Sequence, residues 1–295
     1  MNLFLKVKNK MRKVFIRPYG EILMLHRVTQ ERSKLEDNRK MEITPAFLEH
    51  TILNYKSAGY RFVSLDEVQQ QVESRNHCRN KFVCFTFDDG YADNYEFAYP
   101  VFKKYGCPFA IYVTTDFPDH KAFLWWYDLQ DVLLENEKLR FKGIEYNCSD
   151  LKNKNQTFKK IKEEVFSSGT EMTLKKLELL VKKNVRHNVK ALSWEQISFL
   201  AADPLCTIGA HTVSHPSLPL LSDEIIRKEL LEGKKKIEDK IEKPVRHFAY
   251  PYGNWDDRVA RLVMEQYSTA VLAWGGAVRE HNTLYRINRK ELTEK

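Results

Sequence analysis

The sequence predicts an α/β protein, built as a closed or partly closed barrel of about seven β/α units. Three observations lead there. Short apolar runs alternate with amphipathic helical stretches over most of the 295 residues, the signature of parallel strands joined by helices. Residues 81–87, KFVCFTF, form a continuous β-rich apolar run, as expected of a strand buried on both faces. The unusual polar residues fall just after predicted strands, where β/α barrels gather their chemistry.

Taken in order, residues 21–25 (EILML) read as the first strand. Thr44 then caps a helix with Pro45 at its first position, running toward Gly59. Residues 62–63 form a short strand, and Ser64 caps a helix over 65–72. After KFVCFTF, Gly90 breaks the run, and a helix extends to Tyr105 with Gly106 as its C-cap. Residues 109–113 and 206–210 are the next strands, the latter followed by a long helix capped by Ser222. Residues 248–250, 269–273 and 284–287 complete the set.

One stretch breaks the alternation. Residues 118–192 are rich in lysine and glutamate and mostly helical in pattern, with a polar loop near 147–156. They read as an insertion between two core strands. The cluster Phe123, Leu124, Trp125, Trp126, Tyr127 opens it. These rings are expected to anchor the insertion to the barrel; the other reading is a wall on which a sugar ring stacks.

Hydrophobic residues make up 43% of the chain, enough for one large core. No window is apolar enough for a transmembrane helix. The five cysteines are odd in number and show no metal-knuckle or redox spacing, which fits a reducing compartment. The net charge of +8 favours polyanionic surfaces. Most basic residues nevertheless sit beside glutamates on helix faces, so a nucleic-acid partner is not expected. Residues 1–18 differ: six lysines and arginines between Lys6 and Arg17 stand without an acidic residue, and Phe4, Val7, Met11 and Val14 recur at helical spacing. This basic arm, with the barrel domain at 19–295, suits peripheral contact with an anionic membrane. Without an apolar signal region, the expected location is cytoplasmic, including the membrane's inner face.

Three constellations carry chemistry. Asp88 and Asp89, with Gly90, end the buried strand, where two adjacent carboxylates repel and lose hydration. A cation relieves both costs. His211 and His215, in HTVSH, share one side if the segment turns helically. Two histidines and a carboxylate form a common open ligand set for a catalytic divalent metal. Tyr252 lies in FAYPYG, where proline and glycine fix a loop able to aim its backbone N–H at an oxyanion.

These pieces, TFDDG at 86–90, HTVSH at 211–215 and YPYG at 250–253, resemble the polysaccharide deacetylase (NodB-homology) family, carbohydrate esterase family 4. They stand in family order and at family-like separations, from about Glu21 to Ile287 outside the insertion. The resemblance implies a distorted (β/α)7 TIM-like barrel with one divalent metal, usually Zn2+ with Co2+ or Ni2+ as alternatives. Asp89, His211 and His215 would be its ligands, Asp88 the general base and Tyr252 the oxyanion-hole amide. The implied reaction is hydrolysis of the N-acetyl group of an aminosugar in a glycan or lipid-linked glycan precursor, releasing acetate. Other readings are an O-acetyl esterase, a non-sugar amidase, or a catalytically impaired glycan-binding barrel. Two family features are missing: Ala249 stands where an arginine usually orients the base, and the late Leu-x-His that offers the acid has no match. Two residues are candidates to fill these roles. Arg286, in the last predicted strand, can pair with Asp88. His26, ending the first, has a pKa suited to protonating an amine.

Overall fold

A computed structural model of the protein describes residues 20–74, 81–167 and 189–295. The proposed basic arm, Cys78 and part of the insertion lie outside those residues. Seven parallel strands close into a barrel: β1 (Gly20–Leu25), β2 (Phe82–Phe87), β3 (Phe109–Val113), β4 (Cys206–Ala210), β5 (His247–Ala249), β6 (Thr269–Gly275) and β7 (Ile287–Glu291). Each pairs with the next in sequence, and β1 pairs with both β2 and β7 to shut the ring. The closure is uneven. β1 runs beside β2 over six residues but meets β7 only at Leu23↔Lys290 and Met24↔Glu291. The β6–β7 register shifts between Val271 and Gly275. The barrel is therefore distorted, as expected.

Side-chain alternation divides each strand between two layers. Val83, Phe85 and Phe87 of β2 join the main apolar cluster with the surrounding helices. Phe82 and Cys84 point the other way and pack inside, with Ile22, Ala110, Tyr112, Ala249, Val271 and Ile287. Thr86 and Asp88 continue this inward phase. Gly209 is needed in the same layer, because a Cβ there would stand 2.5 Å from the Tyr112 ring. Residues Val63, Leu65, Val68 and Val72, from the turn and helix before β2, join this interior group.

The caps follow the sequence. Thr44 accepts from the Phe47 N–H, and Ser64 and Glu67 bond reciprocally across the first turn of the helix Leu65–Ser74. Gly106 ends its helix at φ 57°, and Ser222 accepts from the Ile225 N–H. The helix expected from Gly90 to Tyr105 is instead two pieces, a π-turn at Asn94–Ala98 and an α-helix at Tyr99–Tyr105. Pro100 explains the break, since it has no N–H for the regular ladder and the turn before it widens.

Two further corrections matter. The last strand is Ile287–Glu291, not 284–287. INRKE carries no apolar alternation, so its strand character is invisible to hydrophobic patterning. Within the insertion, the polar loop expected at 147–156 is mostly the first turns of a helix, Leu151–Ser167, preceded by a β-hairpin, Lys138–Phe141 with Ile144–Asn147. That helix buries Phe158, Ile161 and Val165 on one face. Lys154 donates to the carbonyls of Leu134 and Asn136, at the end of the helix Trp125–Glu135. A cation there complements the helix C-terminus. Trp125, Trp126 and Tyr127 are buried together with Phe158 in a second core that ties the insertion to the barrel mouth.

Candidate active site

The site lies at the C-terminal ends of the strands, above the barrel interior. Asp88 extends the inward row of β2 by one residue, and its N–H donates to the Leu25 carbonyl. Asp89 then turns at φ 75°, which takes its side chain out of the row. Each carboxylate is 3% exposed.

From β7, Arg289 reaches across the barrel to Asp88. Its Nη1 donates to Asp88 Oδ1 at 2.7 Å and its Nη2 to Oδ2 at 2.6 Å. Its remaining donors meet Thr86 Oγ1 and the Leu272 carbonyl. Arg289 is fully buried and is the largest fully buried side chain among the described residues. Burial alone would push the Asp88 carboxyl up, but the Arg289 guanidinium outweighs it and holds Asp88 well below the usual carboxylate range. Asp88 is thus ionised and fixed in orientation.

Arg286 does not do this. It stands just before β7, three residues from Arg289 and so on the opposite face. Its guanidinium stacks 4.4 Å over Trp255 and pairs with Asp257 in an exposed bridge. The expectation for Arg286 is corrected to Arg289.

Asp89 faces the two histidines. His211 Nε2 and His215 Nε2 lie 3.5 and 3.4 Å from Asp89 Oδ1. One ligand atom from each of the three residues falls within 4.8 Å of the others. The histidines follow β4, but not in a helical turn. Thr212 at φ 68° and His215 at φ 59° are both left-handed. Glu229, from the helix Asp223–Ile241, holds the turn by accepting from the N–H groups of Val213 and Ser214 and from the Ser214 hydroxyl. The i, i+4 spacing therefore brings the rings together by a route helical geometry did not suggest.

The donor set suits a divalent cation. Asp89 Oδ1 is buried with no hydrogen-bond partner. His211 Nδ1 donates to the Ala249 carbonyl at 2.8 Å, which leaves Nε2 as a lone pair facing Asp89. Ligands about 2 Å from one tetrahedral zinc stand roughly 3.3 Å apart, close to the spacing seen here. Without a cation, burial and then the Asp88 charge push Asp89 up to about 7. Burial likewise holds both histidines below the ordinary imidazole value. A cation reverses the cost on the carboxylate and needs neutral imidazoles.

Tyr252 follows β5 in a left-handed turn at φ 57°. Its ring centroid lies 4.4 Å from that of His215, and its hydroxyl accepts from Trp125 Nε1 at 3.3 Å. His26 ends β1 and lines the same pocket. Burial lowers its imidazole to about 4, with Asp88 opposing and Arg289 reinforcing that shift. The resting His26 is neutral. The pocket, about 640 Å3, is lined by His26, both aspartates, both histidines and Tyr252 from the barrel. Trp125, Trp126, Phe158 and Phe166 come from the insertion. The structure thus brings together every predicted site residue except Arg286.

The family model for polysaccharide deacetylases matches residues 75–271. The chain belongs to the polysaccharide deacetylase family. A Bacillus subtilis (strain 168) relative, YxkH, carries that family's name provisionally and is 32% identical over 103 residues. This match covers 35% of the chain and 34% of YxkH. Among solved structures, the Streptococcus pyogenes deacetylase PplD, in complex with acetate, superposes with TM-score 0.65 at 19% identity, covering 94% of both chains. IcaB from Ammonifex degensii gives 0.63 at 20% identity, covering 94% of this chain and 93% of its own. These likenesses establish the fold. Within this family, Ala249 leaves its usual arginine position empty of charge, and Arg289 brings a guanidinium to Asp88 from the other side of the barrel. Arg289 and Glu229 were missed by sequence reasoning. Arg289 could have been found by counting two-residue alternation through the polar strand β7.

Proposed function

We propose that the protein is a metal-dependent hydrolase that removes the N-acetyl group from an aminosugar of a glycan or glycan precursor, releasing acetate. One observation supports this above all: a three-residue donor set, with Asp89 and His211 buried and His215 partly so, stands beside an ionised carboxylate clamped by Arg289, at the floor of an aromatic-walled pocket. Asp89, His211 and His215 would hold the metal, most suitably zinc. When bound, the ion polarises the acetyl carbonyl and lowers the pKa of water.

The chain's own groups do the rest. Asp88, held ionised by Arg289, accepts the proton of the attacking water as general base. The left-handed turn at Tyr252 offers its N–H to the developing oxyanion. His26 rests neutral, so it must take up a proton before it can donate one to the departing amine. The basic arm before Pro18 supports contact with an anionic membrane and so a lipid-linked acceptor.

The test is acetate release from a panel of N-acetylated oligosaccharides, with O-acetylated ones in parallel and zinc, cobalt or nickel added. Release from N-acetyl substrates that stops on chelation and returns with metal is the expected result. Release only from O-acetyl substrates would overturn the specificity, and release unaffected by complete metal removal would overturn the mechanism.

A further inference from the structure

The two candidate histidine ligands are held in different ways. His211 is fixed through three of its atoms. Its N–H donates to the Val113 carbonyl, its carbonyl accepts from the Thr114 hydroxyl at 3.1 Å, and its Nδ1 donates to the Ala249 carbonyl. A metal-binding imidazole is ordinarily oriented by such a bond from its second nitrogen. His215 departs from that rule: among the described residues, its Nδ1 is buried with no hydrogen-bond partner. Its ring meets other rings instead, with centroids 4.4 Å from Tyr252, 4.8 Å from His211 and 5.6 Å from Trp126. Those contacts carry little directional demand, so the backbone must set where the ring stands.

That backbone is held from two sides. Below it, the N–H groups of Thr115 and Asp116 donate to the carbonyls of Thr212 and Val213. Above it stands the helix Asp223–Ile241. Glu229 Oε2 accepts from the N–H groups of Val213 at 2.9 Å and Ser214 at 3.0 Å, and Oε1 accepts from the Ser214 hydroxyl at 2.7 Å. Ser214 is the residue directly before His215. One turn further along the same helix face is Gly233, where a Cβ would stand 3.1 Å from the Thr212 carbonyl carbon. Glycine inside a helix is unfavourable, and this close approach accounts for it. The helix is itself anchored in the main core through Ile226, Leu230 and Ile237. Glu229 and Gly233 thus dock the turn against a fixed support.

We propose that Glu229 is a positioning residue for the metal centre, setting the place of His215 through the Val213 and Ser214 N–H groups. It does for His215 what the Ala249 carbonyl does for His211. This inference rests on the metal-binding reading above. Partners that orient a ligand typically contribute ten- to a hundredfold to metal affinity.

The test is zinc affinity by competition with a chromophoric chelator, on the full chain freed of metal, with melting temperatures of the metal-free forms. Glu229→Ala should weaken zinc about tenfold or more. Glu229→Gln keeps an acceptor at the same reach and should recover most of that loss. Glu229→Asp withdraws the acceptors by one methylene and should fall between the two. Glu232→Ala, an exposed glutamate on the same helix, should stay within about twofold of wild type. The deciding comparison is made in a His215→Ala background. There, adding Glu229→Ala should change zinc affinity by less than about twofold, because one residue acts through the other. Wild-type zinc affinity in Glu229→Ala, or in Glu229→Asp should the alanine variant not fold, would overturn the proposal. So would a Glu229→Ala loss that persists in full without His215, which would signal general loosening of the site. A wild-type protein that takes up no zinc would remove the metal-binding reading itself, and this proposal with it.

Discussion

Asp88 and Asp89 are adjacent and equally buried, yet they titrate in opposite directions. The barrel interior provides Asp88 with a two-pronged cation from β7. The rim, where the insertion covers the mouth, gives Asp89 two neutral imidazoles and no cation. Burial raises both carboxyls, so the difference comes from the neighbours: a guanidinium more than offsets the lost hydration at Asp88, while the Asp88 charge adds to the cost at Asp89. One strand end thus produces a charge already neutralised within the protein and a charge that calls for an ion from outside.

The largest test of this contrast swaps the two carboxylates for amides. Asp88→Asn should keep its zinc and lose about 10²- to 10⁴-fold in turnover, the range for a general base. Asp89→Asn should lose zinc as well. Elemental analysis alongside acetate release separates them, and zinc lost from the first variant but kept by the second would reverse the assignment.

A smaller effect is expected where the clamp is altered but its charge kept. Arg289→Lys replaces a bidentate fork with a point charge. Asp88 is active as a base only when ionised, and Arg289 is what lowers its pKa. Weakening the clamp therefore raises that pKa, and the acid limb of the kcat/KM–pH profile should move to higher pH, with turnover reduced about tenfold. The partner of Asp257, Arg286, offers the contrast: Arg286→Ala should leave the limb where it is. Equal shifts in both variants would mean that overall charge, not the clamp, sets the Asp88 environment.

The smallest effect is in stability without metal. Asp89 keeps its proton up to about pH 7 in the folded chain, against about 3.9 when unfolded. The folded state binds more protons in between, so this contribution is present below about pH 4 and is lost as pH rises through 7. His26 works in the opposite sense, since its lowered pKa costs stability as pH falls from about 6.5 to 4. It is common to wild type and Asp89→Asn. Metal-free wild type should therefore lose melting temperature relative to Asp89→Asn between pH 4 and 7, by a few degrees. A gap that stays constant with pH would mean that Asp89 is ionised throughout.

Legibility followed hydrophobic contrast. KFVCFTF stands out because both of its faces are buried in apolar layers, and the aspartates were conspicuous as polar residues ending such a run. The first six barrel strands were placed to within two residues at every boundary for the same reason. β7 was displaced because its inward row runs Ile287, Arg289, Glu291, with one apolar residue only, and its other face ends in the exposed Lys290, leaving no apolar signature. That displacement carried the choice of Arg286 with it. The HTVSH turn depends on Glu229, fourteen residues beyond His215, and on backbone angles that sequence spacing does not encode.

Seven described residues other than glycine have positive φ, and four of them, Asp89, Thr212, His215 and Tyr252, stand at this site. Each left-handed turn costs roughly 1 kcal/mol that glycine would not. Heat resistance and turnover therefore pull these four positions in opposite directions. A library of variants ranked only by survival at high temperature would tend to drift toward glycine there, and would deliver a sturdier barrel whose mouth no longer holds its groups in place.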